Sequence, residues 1–256
     1  MKKMILAHRT SLPSAKILRD SFVKLGYPKV LVTRNPDKNI LFSYGDSSHY
    51  GTYLVNPPDF ISFMANKKLF SGHCSNVGIP APVFTKLIKL LPESFPVLVR
   101  STLTGSGSKG IYPVTSLKEL QDMDINWWWT PYYQLTREYR VHVVGGKIIK
   151  CFCKNFDGEI DSTGIIIRNN DNSHFSLVDI ENPDKYQKLR AIVYRLLESL
   201  KGKFGVGVEN LFFALDLGFG KNEREYILIE GNSAPGLNES TAIKYAEILG
   251  PLLFKK

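Results

Sequence analysis

The chain has 256 residues, of which 43% are apolar and 22% charged, ordinary values for a globular protein and enough for one large domain or a few small lobes. This balance excludes disorder throughout, a collagen-like repeat and a disulfide scaffold. Lys and Arg outnumber Asp and Glu by 33 to 24, a net charge of +9. That suits an anionic partner such as a nucleotide, a nucleic acid or an acidic peptide, but basic residues spread over a solvated surface would satisfy it equally.

Met4 to Ala7 reads as a strand. Its apolar run is too short for a signal-peptide core, and His8-Arg9 closes it. Ser11-Leu12-Pro13-Ser14 opens a helix with Ala15, Leu18, Phe22 and Leu25 at helical spacing, and Gly26 stops it. Lys29 to Thr33 and Ile40 to Tyr44 read as two further strands, and Asn56-Pro57-Pro58 as a boundary. A second helix is expected over Asp59 to Asn76, followed by Pro80 and Pro82. Pro96 to Arg100 is a short apolar strand, Ser116 to Met123 a helix, and Trp127 to Leu135 an aromatic stretch with strand propensity. Tyr139 to Val144, Gly145-Gly146 and Lys147 to Lys154 form a hairpin pattern. Asn182-Pro183-Asp184 opens the clearest helix, lined by Tyr186, Leu189, Val193, Leu196, Leu197 and Leu200. Leu211 to Leu217 and Glu225 to Glu230 are strands, and Ala242 to Leu249 a final helix. Adjacent strands mixed with helices indicate an α+β fold.

Three cysteines form no complete disulfide set, and Cys151 and Cys153 lack zinc-site spacing. They read as reduced packing thiols of a cytoplasmic protein. No segment approaches the roughly 20 apolar residues of a membrane helix. His8, His49, His73, His142 and His174 show no ligand spacing, and His142 reads as structural.

Two patterns carry chemistry. Gly105, Gly107 and Gly110, interleaved with Ser106 and Ser108, follow the strand ending in Arg100. Small residues let backbone N–H groups approach phosphate oxygens. The pattern is neither a P-loop nor a dinucleotide fingerprint, because it runs on into the strand-like Ile111-Tyr112-Pro113-Val114. It reads as a lid over phosphates or as a plain hairpin tip. The second pattern is Asp216 on one apolar strand with Glu230 and Asn232 ending the next. Two residues apart on a strand, Glu230 and Asn232 face the same side, and paired strands would bring Asp216 to them. Two carboxylates and an amide oxygen are hard ligands suited to Mg²⁺ held with nucleotide phosphates; the alternative is a salt bridge to a lysine.

Glu230-Gly231-Asn232-Ser233-Ala234-Pro235-Gly236-Leu237 resembles the terminal metal-binding motif of ATP-grasp ligases, especially the RimK-type group. Asn66-Lys67, Gly78-Ile79-Pro80-Ala81-Pro82, Pro96 to Arg100, Gly105 to Gly110, Glu138-Tyr139-Arg140-Val141 and Asp216 follow in the family's order. The resemblance covers about residue 59 to the end. The small first lobe, with Tyr44-Gly45-Asp46-Ser47, is most similar to short phage-encoded members, which implies a host-cytoplasm location.

The resemblance implies a small N-terminal α/β lobe (1–58) and two nucleotide-binding lobes (59–130 and 131–256). It implies ATP, with Mg²⁺ or Mn²⁺ held by Asp216, Glu230 and Asn232. Lys67 and Arg100 would contact phosphates, with Arg100 standing where the family has Lys and presenting a planar fork. Gly105, Ser106, Gly107 and Ser108 would cover the phosphates. Tyr133, Gln134 and Leu135 would form the adenine hinge, Glu138 would accept from ribose hydroxyls, and Arg140 and Lys154 would sit near the transferred phosphoryl group. The Trp127-Trp128-Trp129 run would be core and adenine-pocket wall. The implied activity is ligation of a carboxylate to an amine through an acyl phosphate, with no membrane or nucleic-acid partner. The rival readings are a non-catalytic nucleotide-binding module of the same fold and a nucleic-acid-binding protein.

Overall fold

The computed structural model describes residues 4–34, 40–48, 55–104, 110–159, 163–167, 173–180, 182–221 and 225–254. Ile5, Leu6 and Ala7 are fully buried, as a central parallel strand requires. This strand, β1 (Met4–Ala7), leads into helix α1 (Leu12–Lys24), which crosses over to β2 (Leu31–Thr33). Together with β3 (Ile40–Tyr44) these make a parallel sheet of order β2-β1-β3. Ala15, Leu18 and Phe22 form the buried face of α1, and Gly26 ends it at φ +81°, where a side chain would be strained.

The helix expected over residues 59–76 is two helices, α2 (Pro58–Ala65) and α3 (Lys67–Asn76). Apolar periodicity runs through both, but Asn66 adopts extended backbone angles between them. Its N–H closes α2 on the Ser62 carbonyl, and its side-chain oxygen accepts from the Lys68 and Leu69 N–H groups at 3.1 Å each. Asparagine is among the best N-caps because its short side chain reaches these orphan donors. The break places Lys67 in the first turn of α3. Replacing the cap, Asn66→Ala, is expected to lower stability by about 1 kcal/mol, read as a shift in denaturation midpoint.

The smaller sheet contains β4 (Thr85–Lys86), β5 (Val97–Arg100), β6 (Ile111–Val114) and, after helix α4 (Leu117–Gln121), β7 (Trp128–Pro131). Its order is β4-β7-β5-β6, all antiparallel. Val97, Val99 and Val114 turn into a small core with Leu87 and Leu120, which Trp127 and Trp129 partly cover. By strand alternation Leu98 and Arg100 take the other face. The strand–loop–strand reading around residues 105–109 holds at its two ends, while those residues themselves lie outside the described ones.

The larger sheet is formed by β8 (Arg137–Val144), β9 (Lys147–Phe156), β10 (Ser173–Val178) and, after helix α5 (Pro183–Leu200), β11 (Phe212–Phe219) and β12 (Tyr226–Asn232). Its order is β10-β9-β8-β11-β12, antiparallel throughout. Gly145 and Gly146, both at positive φ, make the β8–β9 turn. Strand β10 was not expected from the sequence. Four of its six residues are exposed, so it carries no apolar alternation to read.

The cores do not follow the sequence divisions. Phe60, Phe63, Met64, Phe70 and Cys74 of α2 and α3 pack with α5 on the larger sheet and not on the smaller one. The last helix, α6 (Glu239–Leu253), packs with α1, β1 and β3 through Ala242, Tyr245, Ala246, Leu249 and Leu253.

Candidate active site

A cleft of about 940 Å³ lies between the four-stranded and five-stranded sheets, and His8, Thr10, Ser14 and Gly45 of the first lobe also line it. Lys67, Arg100, Tyr133, Leu135, Glu138, Arg140, Lys154, Asp216, Glu230 and Asn232 all line it. Residues scattered over 165 positions of chain are thus gathered by three mechanisms: the break before α3, alternation on β5, and pairing across β9, β8, β11 and β12. Gln134 is the exception among the expected hinge residues. It lines an adjoining cavity of about 670 Å³, to which Tyr132, Tyr133 and Leu135 also contribute. Gly105, Ser106, Gly107 and Ser108 lie outside the described residues.

Asp216 stands directly opposite Glu230 on one side and Arg140 on the other. The Arg140 guanidinium donates two hydrogen bonds to the Asp216 carboxylate, Nε to Oδ1 at 2.7 Å and Nη2 to Oδ2 at 2.6 Å. Arg140 also lies over the Phe175 ring, 5.0 Å from its centroid. Burial opposes both charges. For Asp216 the Arg140 charge outweighs it and holds the carboxyl below its usual range. For Arg140 the Asp216 charge raises the guanidinium above its ordinary value.

Two further ion pairs complete the floor: Lys154 Nζ to Glu138 Oε1 and Lys67 Nζ to Glu230 Oε2, each 3.0 Å. The salt-bridge alternative for Glu230 is therefore present in the structure. Asn232 turns its Oδ1 to the Ala234 N–H at 2.9 Å. Arg100 is different. Its Nε is buried with no hydrogen-bond partner among the described residues, and burial lowers its pKa against the opposing effect of Glu230. A guanidinium edge without a hydrogen-bond partner in a cleft suits an anion.

Among the described residues no three His, Cys, Asp or Glu side chains converge as a metal site. The fit to a hard cation rests instead on Asp216, Glu230 and the Asn232 amide on one cleft wall, each with oxygen lone pairs beyond those its present partner uses. Those residues fit Mg²⁺ arriving with phosphates, because Lys67 and Arg140 would then have other oxygens to bind.

The cleft-lining His142 also has a structural partner, with its Nδ1 3.0 Å from the Tyr245 hydroxyl. Burial, helped by the Arg140 charge, pushes its pKa down to about 3. A folded pKa below the unfolded value of about 6.5 means the unfolded chain binds the proton first. Stability should therefore be intact above pH 6.5 and fall as pH drops toward 3. In His142→Gln this acid limb should be shallower, as read from denaturation midpoints at stepped pH. Burial raises Cys74 and Cys151 to about 12, in keeping with unreactive packing thiols.

The alternation around Glu230 brought the acidic wall within reach of sequence reasoning. Thr130 and Phe175 were missed, since a threonine in an aromatic strand and a phenylalanine in a surface strand carry no signal of a cleft.

No family model matches the chain, and no curated protein does. Solved structures do. A D-cycloserine synthetase superposes with a TM-score of 0.74 at 16% identity, over 99% of this chain and 100% of that one. A D-alanine–D-alanine ligase from Bacillus anthracis complexed with ATP gives 0.67 at 14% identity, over 98% and 94%. A RimK domain protein, ATP-grasp, from Sphaerobacter thermophilus gives 0.61 at 15% identity, over 97% and 99%. Shared architecture over essentially the whole length, with the cleft between the two sheets, establishes that this chain has the ATP-grasp fold.

Proposed function

We propose that the protein is an ADP-forming carboxylate–amine ligase that uses ATP and Mg²⁺. The observation that carries this reading is the convergence of Lys67, Arg100, Arg140 and Lys154 on the wall bearing Asp216, Glu230 and Asn232. The ATP-grasp fold and the ligases that share it support the same conclusion.

Arg100 would bind the nucleotide phosphates through its unpaired edge, and Lys67 would join it by exchanging Glu230 for a phosphate oxygen. Glu138, held by Lys154, is the acceptor available to ribose hydroxyls. Mg²⁺, when held by Asp216, Glu230 and Asn232, would neutralise the terminal phosphates. A substrate carboxylate oxygen attacks the γ-phosphorus and ADP leaves, giving an acyl phosphate. An amine nitrogen then attacks the acyl carbon, sheds a proton and expels phosphate. Arg140 would steady charge on the transferring group and on the tetrahedral oxyanion. Such a reaction needs positioning and charge neutralisation and no protein nucleophile, which agrees with the inert thiols.

The test is a screen of carboxylate and amine pairs, including amino acids and peptides, for ADP release with product mass. With the carboxylate labelled with heavy oxygen, one label is expected in the released phosphate. AMP as product, or label-free phosphate alongside amide, would overturn the reading.

A further inference from the structure

Thr130 lies in β7, lines the cleft three residues before Tyr133, and is 3% exposed. Its hydroxyl is buried and has no hydrogen-bond partner among the described residues. Other buried hydroxyls are satisfied at once by nearby backbone or side chains: Ser11 on the Tyr44 carbonyl, Ser21 on Ile17, Ser71 on Pro82, and Thr241 on Asn238. A buried hydroxyl without a partner is a cost that the isosteric valine avoids. Valine and threonine both favour strands, so strand preference gives no reason for threonine here.

Among the described residues the other buried side-chain nitrogen or oxygen without a partner is Arg100 Nε, in the same cleft. The two are related by the sheet register. Leu98 pairs with Thr130 and Arg100 with Trp128, so Thr130 and Arg100 stand on adjacent strands two residues out of step. Strand rise and spacing put their backbones about 8 Å apart on one face. A nucleoside triphosphate spanning them would set phosphates at Arg100 and its base at Thr130, beside the apolar Leu98, Leu135 and Ile227.

We propose that the Thr130 hydroxyl is a specificity-determining contact that hydrogen-bonds the polar edge of a purine, at its ring nitrogen N7 or its 6-amino group. This rests on the nucleotide reading above and adds to it the group that reads the base.

The experiment measures binding calorimetrically, with Mg²⁺ and no acceptor, for wild type, Thr130→Val and Thr130→Ser. The probes are ATP, 7-deaza-ATP and the purine triphosphate lacking the 6-amino group. Thr130→Val should bind ATP about tenfold more weakly, while the free variant melts at or above the wild-type temperature. Thr130→Ser should retain wild-type affinity to within about threefold. One of the two edge-deleted probes should lose about tenfold on wild type and nothing further on Thr130→Val, which names the atom contacted. Equal ATP affinity for wild type and Thr130→Val would overturn the contact and leave the nucleotide reading standing. So would additive losses for both probes, or a much lower melting temperature for free Thr130→Val, which would make the hydroxyl structural. If wild type itself binds no ATP, the nucleotide reading falls first.

Discussion

Glu230→Gln is expected to reduce ADP-forming turnover by about a thousandfold while the protein keeps its fold. The substitution conserves size and removes one negative charge from the wall that Asp216, Glu230 and Asn232 share. It removes the Glu230 carboxylate charge facing Lys67, but Glu230 is only part-buried and Lys67 lines the same cleft, so the structural penalty is small. Metal-free nucleotide should bind at least as well as before, because Lys67 no longer has to leave a carboxylate to meet a phosphate. Turnover near the wild-type rate, with an unchanged melting curve, would remove Glu230 from the metal wall.

Asp216→Ala should have the largest effect on stability, about 3–5 kcal/mol, because it strands a buried guanidinium. Both hydrogen bonds from Arg140 are lost, and 95% of the aspartate's surface is already out of water. A chain of this length should then melt roughly 10 °C lower. Arg140→Met in the same protein should restore part of that loss, since no charge is then left unpaired. A double variant no more stable than Asp216→Ala would show that the pair is not the source of the penalty. The sign of the pH effect follows from the depressed Asp216 pKa. The pair's contribution is present above the unfolded carboxylate pKa and is lost as pH falls through the folded one.

The acidic wall was legible because a strand has a period of two. Once Glu230 and Asn232 were placed on a strand, their common face followed, and the pairing of Asp216 with Glu230 required only that the two strands be neighbours. Residues 59–76 show the limit of the same logic. Helical periodicity continues through Asn66, and the break is decided by one side chain choosing to cap the next helix. Strand β10 was illegible for the opposite reason: an edge strand exposed on both faces has no apolar period. Its Phe175 nevertheless supports Arg140. The pairing of Lys67 with Glu230 joins residues 163 positions apart and depends on how closely α3 approaches β12. Gly231 permits that approach, since a Cβ there would lie 2.3 Å from the Met64 methyl carbon and 3.0 Å from the Phe70 ring. A sequence shows the glycine but not what rests on it.

The packing of α6 against α1 has a consequence for biosynthesis. Strand β1 and α1 are synthesised well before α6, yet Leu18, Phe22 and Val30 pack in one core with Tyr245, Leu249 and Leu253. The first lobe therefore waits, with its apolar surface incompletely covered, until α6 emerges. Its closure is a long-range event that brings segments far apart in the sequence together, the kind of step that slows folding. Further contacts draw the same seam shut: Tyr44 donates to the Pro235 carbonyl at 2.6 Å, and the Leu237 N–H donates to Ser14 at 3.0 Å. Since residues 232–238 run directly from the acidic wall into α6, the docking of α6 on the first lobe also fixes the strand end that carries Glu230 and Asn232.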